Sequence, residues 1–435
     1  SNLGMGGVVL MGKVFNFVNH EFKNRVKLKR LQLLLVLTAL LAFNVSVNSQ
    51  TVSRNAELSL ITCSPGNELY SIFGHSAIRV HDSTTNTDLI FNYGVFDFNT
   101  PNFYWKFIRG KLQYQLAIQD MDRFLQEYRR EGRSVKEEKF LLSQKEKSRM
   151  IRFLQRNYLP ENRFYLYDFF YNNCSTKIWD VAKSKVKNEL EFDTSVYSPQ
   201  SFRDLMCPYL ETVPWARLGI DILLGLPADN IASFPQQMYL PDYLSRNMSH
   251  TFRTSPVNDN ERLLGPEHIL LEKDPAKSSF DEPVIGPVLA GWVLLLAVVG
   301  LTLFARSGSK KWFDGIFLST LGLLGLVLIF MWIATDHQQM EWNLNVLWAN
   351  PIGLVFTWFV LRNKIYSASW VYGILMIVSI LTLVFWNLIP QDFNQALLPV
   401  TLAVTVRGAD HFIPVCCKSF NLYELKKKIR AMVLG

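Results

Sequence analysis

From residue 288 onward the chain is a series of apolar runs, and this feature narrows its possible folds more than any other. Hydrocarbon holds no water to satisfy peptide N–H and C=O groups, so consecutive apolar residues that enter it must pair those groups within themselves, as helices. The runs 288–305, 315–335, 346–361 and 365–386 reach or approach the roughly 20 residues needed to cross about 30 Å of bilayer. A fifth run, 393–412, contains Pro399 and Arg407, and the arginine is expected to snorkel from near a helix end. With 49% hydrophobic and 19% charged residues, 11 Trp and 31 Phe in 435, the chain as a whole is too apolar for disorder.

Its charge follows the runs. The formal +8, from 45 Lys and Arg against 37 Asp and Glu, could suggest nucleic acid, but placement decides. Arg306, Lys310 and Lys311 follow the first run, Arg362 and Lys364 the third, and Lys418, Lys426 to Lys428 and Arg430 the fifth. The stretches 336–345 and 387–392 hold neither Lys nor Arg. By the positive-inside rule the odd-numbered spans then exit into the cytoplasm, the preceding domain lies outside, and no nucleic-acid partner is expected. The N-terminal region agrees. A basic stretch over 23–30, an apolar run over 31–43 and small residues before Gln50 read as a secretory signal at 23–49, with an uncleaved signal anchor as the alternative. Residues 1–22 are expected to be an N-terminal extension or an expression remnant, with Met11 an alternative start.

Residues 50–273 have the composition of a mixed exported domain. Runs 57–63, 76–81 and 88–95 are β-branched and apolar between turn formers, so they are expected as strands. Apolar residues recur at helical spacing over 119–128 and 143–158, whose charges read as a solvated face. A linker at 274–287, a five-helix membrane domain at 288–413 and a basic tail at 414–435 complete the expected order. Five cysteines, at 63, 174, 207, 416 and 417, are too few for a disulfide scaffold, and none has zinc-ligand spacing, so neither a metal nor another cofactor is expected.

Two residues in the exported domain could carry chemistry. His75 opens a strand directly after Gly74, and a hundred residues later Asn172, Asn173, Cys174, Ser175 and Thr176 mark a loop-to-helix junction. A cysteine there faces the positive end of the helix dipole, which favours thiolate, and a neighbouring imidazole can act as base and then as acid. The same pair also suits a core histidine and a structural thiol. Pairing Cys63 with Cys207 would leave Cys174 free, although exported thiols need not pair. Near the membrane, His337 sits beside Asp336 and near Glu341, either as a surface titratable group or as an ordinary loop histidine. Trp342 and Trp348 read as interfacial anchors, and Cys416 and Cys417 fall on the cytoplasmic side.

The stretch 62–180 holds Gly74 through Arg79, the run 92–98, Gly132 with Arg133, Tyr167 with Asp168, and Asn173 through Thr176. Together these resemble the periplasmic domain of the Bacteroides-type lipoprotein N-acyltransferase (Lnb) family. They are similar, more distantly, to circularly permuted papain-like, NlpC-related thiol enzymes that include lecithin retinol acyltransferase. Thr335, Asp336, His337 and the stretch 345–351 resemble the membrane domain of the same family. The resemblance implies an α+β papain-like (circularly permuted) exported domain followed by an α-helical polytopic membrane domain. It also implies a bacterial inner membrane location, with the catalytic domain in the periplasm and the C-terminus cytoplasmic.

What the resemblance implies for chemistry is specific. A Cys174 and His75 dyad would move an acyl chain from a glycerophospholipid, through a thioester, to the α-amino group of an apolipoprotein's diacylglyceryl cysteine. Asn92, on the strand after the histidine strand, takes the place of the group that orients the imidazole, or else caps a turn. Glu68, Ser71, Asn173 and His337 are candidates for substrate contact, and Arg79 for a lipid phosphate. Backbone N–H groups at the start of the Cys174 helix would form the oxyanion hole. Asp336, His337, Asn343 and Asn345 gather polar groups on the outer loop, where the reacting carbonyl would lie. Two rival functions fit the same residues: a membrane-anchored thiol hydrolase of cell-wall peptide or lipid ester, and a non-enzymatic membrane scaffold or sensor.

Overall fold

A computed structural model describes residues 53–186, 190–253, 261–277, 284–362 and 364–419. The expected signal, residues 1–22, Cys417's side chain and most of the basic tail lie outside the described residues.

The exported part is built on an antiparallel sheet. Its strands are β1 (Ala56–Cys63), β2 (His75–Asp82), β3 (Thr87–Val95), β4 (Gln113–Asp120), β5 (Val135–Phe140) and β6 (Phe164–Leu166). After β7 (Leu190–Phe192), β8 (Thr251–Arg253) and β9 (Glu261–Arg262), which make a small sheet of their own, β10 (Leu264–Leu271) returns to the large one. The order is β10-β5-β1-β2-β3-β4-β6, so β1 and β2 are central. Side chains alternate faces along a strand, and both faces of β2 are covered. On one, Ala77 joins Ile61, Ile90 and Phe124 of helix Met121–Glu131 in a core cluster. On the other, the Ser76 hydroxyl accepts from Ser175 of helix Cys174–Lys185 at 3.3 Å. This double cover explains why β1 is buried almost throughout, its polar Ser59 and Thr62 included. The expected helix 119–128 is displaced: Gln119 and Asp120 end β4 and the helix begins at Met121, because sheet pairing to Leu89 and Ile90 overrides helical periodicity there.

The membrane part follows as five helices among the described residues, Pro287–Phe304, Ser307–Ala334, Ile352–Leu361, Ile365–Val384 and Leu397–Ser419. The first, second and fourth are long and apolar enough to cross a bilayer. The third expected span, 346–361, is different. Its helix has 10 residues, about 15 Å, and forms with Gln338–Leu347 a pair bent by 47°. The break seats Ala349 against the second helix at Gly325, where a Cβ would collide with the Ala349 carbonyl. That level is about 13 Å from the Ala334 end at 1.5 Å per residue, so the outer loop dips into the bundle. Trp348 goes with it: the side chain is buried and its Nε1 donates to Asn345 Oδ1 at 2.8 Å, so it is a core residue rather than an interfacial anchor. Trp342, by contrast, is exposed and packs on Trp332.

Arg407 does not snorkel. It is fully buried, with Nε and Nη2 donating to the two oxygens of Asp314 at 2.7 and 2.8 Å, and Nη1 to Thr302 and Asp410, each at 2.8 Å. Tyr372 and His411 also bond Asp314, at 2.9 and 2.7 Å. Three helices therefore meet on one carboxylate and Arg407 ties in a fourth through Thr302, since a charge this deep is stable only when fully paired.

The two parts are joined by helix Pro214–Leu223, whose Leu218, Ile222 and Leu223 pack against the membrane core. The last carbonyls of a helix lack intrahelical partners, and in this dry setting side chains must supply them. Asn343 Nδ2 donates to the carbonyls of Ile222 and Leu223 at 2.8 and 3.0 Å, Asn345 Nδ2 to Asp221 and Ile222 at 3.1 Å each, and Gln391 Nε2 to Leu224 at 3.1 Å. The expectation that Asn343 and Asn345 line a reacting carbonyl is thus corrected: they cap the docking helix.

Candidate active site

The strand register brings Cys63 opposite His75 at one end of the central strands. Gly74, before the histidine, has φ +81°, and a Cβ there would lie 2.7 Å from the Cys63 carbonyl, so only glycine allows this approach. The neighbouring β3 has a register shift between Asn92 and Val95, a bulge that turns Gly94 toward Cys174. Asn92 Oδ1 accepts from His75 Nε2 at 2.7 Å, which leaves the other ring nitrogen to the Cys174 thiol.

Cys174 is the first residue of its helix, and the cap that starts the helix is Asn173. Asn173 Oδ1 accepts from the amides of Ser175 and Thr176, both at 2.9 Å, while Thr176 Oγ1 accepts from the Asn173 amide at 2.7 Å. Its Nδ2 donates to the Phe169 and Tyr239 carbonyls at 2.7 and 2.8 Å. With every polar atom engaged and the side chain buried, Asn173 is a structural cap and not a substrate contact. The expected oxyanion hole is reduced for the same reason. Two first-turn amides are held by the cap, leaving that of Cys174 outside it.

The electrostatics favour an ion pair. Burial pushes the Cys174 thiol up, but the His75 charge and hydrogen bond, with the Ser76 amide and Ser175 hydroxyl, outweigh it and hold the thiol below its ordinary range. Burial likewise pushes His75 down, and the Cys174 thiolate and Asn92 bring it above its ordinary value. Both residues are half-buried. Cys63, fully buried, has its thiol pushed up to about 12 by desolvation and is inert. It is free, as is Cys207, which takes a 3.3 Å hydrogen bond from Arg217; the Cys63 to Cys207 bridge does not form.

The remaining candidates scatter. Arg79 is clamped by Asp88, through Nε and Nη2 at 2.7 and 2.6 Å, and by Glu137 at 3.0 Å, so its charge is already neutralised and it does not serve a lipid phosphate. Ser71 is buried and donates to the Glu68 carbonyl at 3.0 Å, while the Glu68 side chain is exposed in that loop. His337 Nε2 pairs with the Phe107 carbonyl at 3.0 Å, so it is held against the segment that follows β3.

One site residue went unread in the sequence. The Tyr165 hydroxyl is buried beside Gly94 and Cys174 with no hydrogen bond of normal geometry, and its ring carries Lys177 Nζ at 4.6 Å from the centroid. Its strand is three residues long, too short for alternation to reveal which way it faces.

With this geometry in view, two family models match the chain, the Lnb N-terminal periplasmic domain over residues 44–207 and the Lnb transmembrane domain over 277–418. The chain belongs to the Lnb family. It is a membrane protein of the lipoprotein N-acyltransferase type, with a periplasmic α+β domain followed by a helical membrane domain. No curated protein and no solved structure matches it. The first Lnb match contains His75, Asn92, Tyr165 and Cys174, whereas helix Pro214–Leu223, which docks the periplasmic domain on the membrane part, falls between the two matches.

Proposed function

We propose that this Lnb protein transfers an acyl chain from a glycerophospholipid to the α-amino group of the diacylglyceryl cysteine of apolipoproteins, by way of a thioester on Cys174. The observation that carries this reading is the Cys174 thiol beside His75, with the ring held by Asn92, on a domain docked to membrane helices. The Cys174 thiolate attacks the ester carbonyl, forming a C–S bond and an oxyanion. The Cys174 amide and the Tyr165 hydroxyl are the donors for that oxyanion. Collapse breaks the bond to the glycerol oxygen, which takes the proton from His75 and leaves as lysophospholipid. The acceptor amine then attacks the thioester, His75 removes its proton, and the thiolate leaves as the amide forms. Asn92 keeps the ring oriented throughout. No ATP is needed, because thioester to amide is downhill.

Purified full-length protein incubated with phospholipid should gain the mass of one acyl chain, located on Cys174, and release it as N-acylated product when a diacylated lipopeptide is added. Cys174→Ala and His75→Ala should each lose transfer by about 10,000-fold or more, with the double variant little worse than either, since the pair acts as a unit. An acyl group on Cys63 or Cys207 would overturn the assignment, and free fatty acid as the sole product would make the protein a hydrolase.

A further inference from the structure

Between β3 and β4 lies helix Phe103–Ile108, a short element with no buried residue. Tyr104, Trp105, Phe107 and Ile108 are 76, 54, 50 and 40% exposed, and Phe98 on the preceding turn is 67% exposed. Single apolar residues are common on a soluble surface, but four within one six-residue helix form a patch that calls for a partner. The partner's position is set by the contacts of the helix. Asp336 N–H donates to the Arg109 carbonyl at 3.0 Å, His337 bonds the Phe107 carbonyl, and the Trp105 ring lies 6.1 Å from Phe330. Phe330 is about one turn from the Ala334 end of the membrane-crossing helix Ser307–Ala334, so the patch sits at the depth where a bilayer meets water. Lys106, Arg109 and Lys111 stand among the aromatics, Arg109 5.8 Å from the Trp105 ring centroid and Lys111 paired with Asp336 at 3.5 Å, the basic and aromatic mixture of a helix lying in an interface.

The patch is also connected to the thiol. Phe96 packs on Phe98, Phe103 and Tyr114 at 4.9, 5.8 and 5.1 Å between ring centroids, and Tyr114 stacks on Tyr167 at 4.4 Å. Two residues before Phe96, Gly94 abuts Cys174. A row of rings therefore runs from the exposed helix to the site.

We infer that helix Phe103–Ile108 is seated in the outer leaflet of the membrane, against phospholipid acyl chains, and that the acyl donor reaches Cys174 along the aromatic row. This rests on the acyl-transfer reading for the identity of the donor, though not for the seating of the helix. The test uses full-length protein in nanodiscs of phosphatidylethanolamine and phosphatidylglycerol, with benzoylphenylalanine replacing Trp105, Phe107 or, as control, Ile269 on the edge strand β10. After illumination, phospholipid adducts should form at 105 and 107 in about tenfold or greater excess over 269, as expected of lipid-bathed against water-bathed positions. Equal yields at the three positions, or crosslinks only to protein, overturn the inference. Should a probe variant fail to fold, Trp105→Phe gives the same answer: it should remove a component of tryptophan fluorescence that brominated phospholipid quenches, and unchanged quenching refutes the seating. Crosslinking needs no turnover, so it can fail while acyl transfer persists, and adducts can form in a protein that transfers nothing.

Discussion

The periplasmic site and the membrane bundle each hold a histidine against an acidic partner, and they treat the leftover hydrogen-bonding capacity in opposite ways. In the bundle, Asp314 accepts from Arg407, Tyr372 and His411, and Arg407 also reaches Thr302 and Asp410. Lys310 closes the group through Asp410 at 3.3 Å. At the periplasmic site Cys174 is only half-buried, and the Tyr165 hydroxyl has no partner of normal geometry. Burial of charge is common to both. What separates them is saturation: a group whose donors are all engaged holds helices together, and one with a donor in reserve can receive charge that develops during a reaction.

The contrast breaks most strongly at the bundle. Asp314→Ala leaves Arg407 with only Asp410 opposite it, and Arg407→Ala leaves Asp314 without its guanidinium, so each should cost about 3–5 kcal/mol in a thermal melt of the purified protein. Replacing both by apolar residues of similar size should recover most of that loss, whereas two additive penalties would show that the groups do not act as a pair. In the fraction that remains folded, acylation of Cys174 should proceed at the normal rate.

At the reactive site the expected effects are kinetic. Tyr165→Phe removes one hydroxyl that has no hydrogen bond of normal geometry, so the melting temperature should hold while the transfer rate falls by about tenfold to a hundredfold. A melting loss with normal turnover would assign Tyr165 to packing instead. The smallest effect is a displacement in pH. Activity should rise as Cys174 ionises, at a pH below the ordinary thiol range, and fall as His75 loses its proton, at a pH above the ordinary imidazole value. Asn92 supports the protonated ring, so Asn92→Ala should move the alkaline limb toward lower pH by about one unit and leave the acid limb nearly in place. A shift toward higher pH would mean that Asn92 does not orient His75.

Local chemistry made much of this legible. Apolar runs and the placement of Lys and Arg announce membrane helices after an exported domain, because length and hydropathy act residue by residue and need no partner. The strands β1, β2 and β3 and the capped start of the Cys174 helix are equally local, since β-branched runs and an Asn173 to Thr176 capping box carry their own signals. Arg79 and Asn173 show the limit. Each is polar and lies beside the motif, and each is occupied by partners distant in the chain, Glu137 for the first and Tyr239 for the second.

The sequence by itself determined the two-part architecture and which two residues could form a thiol and imidazole pair, because those follow from composition, spacing and side-chain pKa. Only the tertiary structure decided that His75 and Cys174 meet, that Arg407 is buried on Asp314 rather than snorkelling, that the third span is broken at Ala349, and that Asn343 and Asn345 cap a helix more than a hundred residues earlier. The reason is the same in each case: a buried polar group is stable only with a partner, and which partner it finds depends on strand register and helix docking, to which single-sequence patterns are blind.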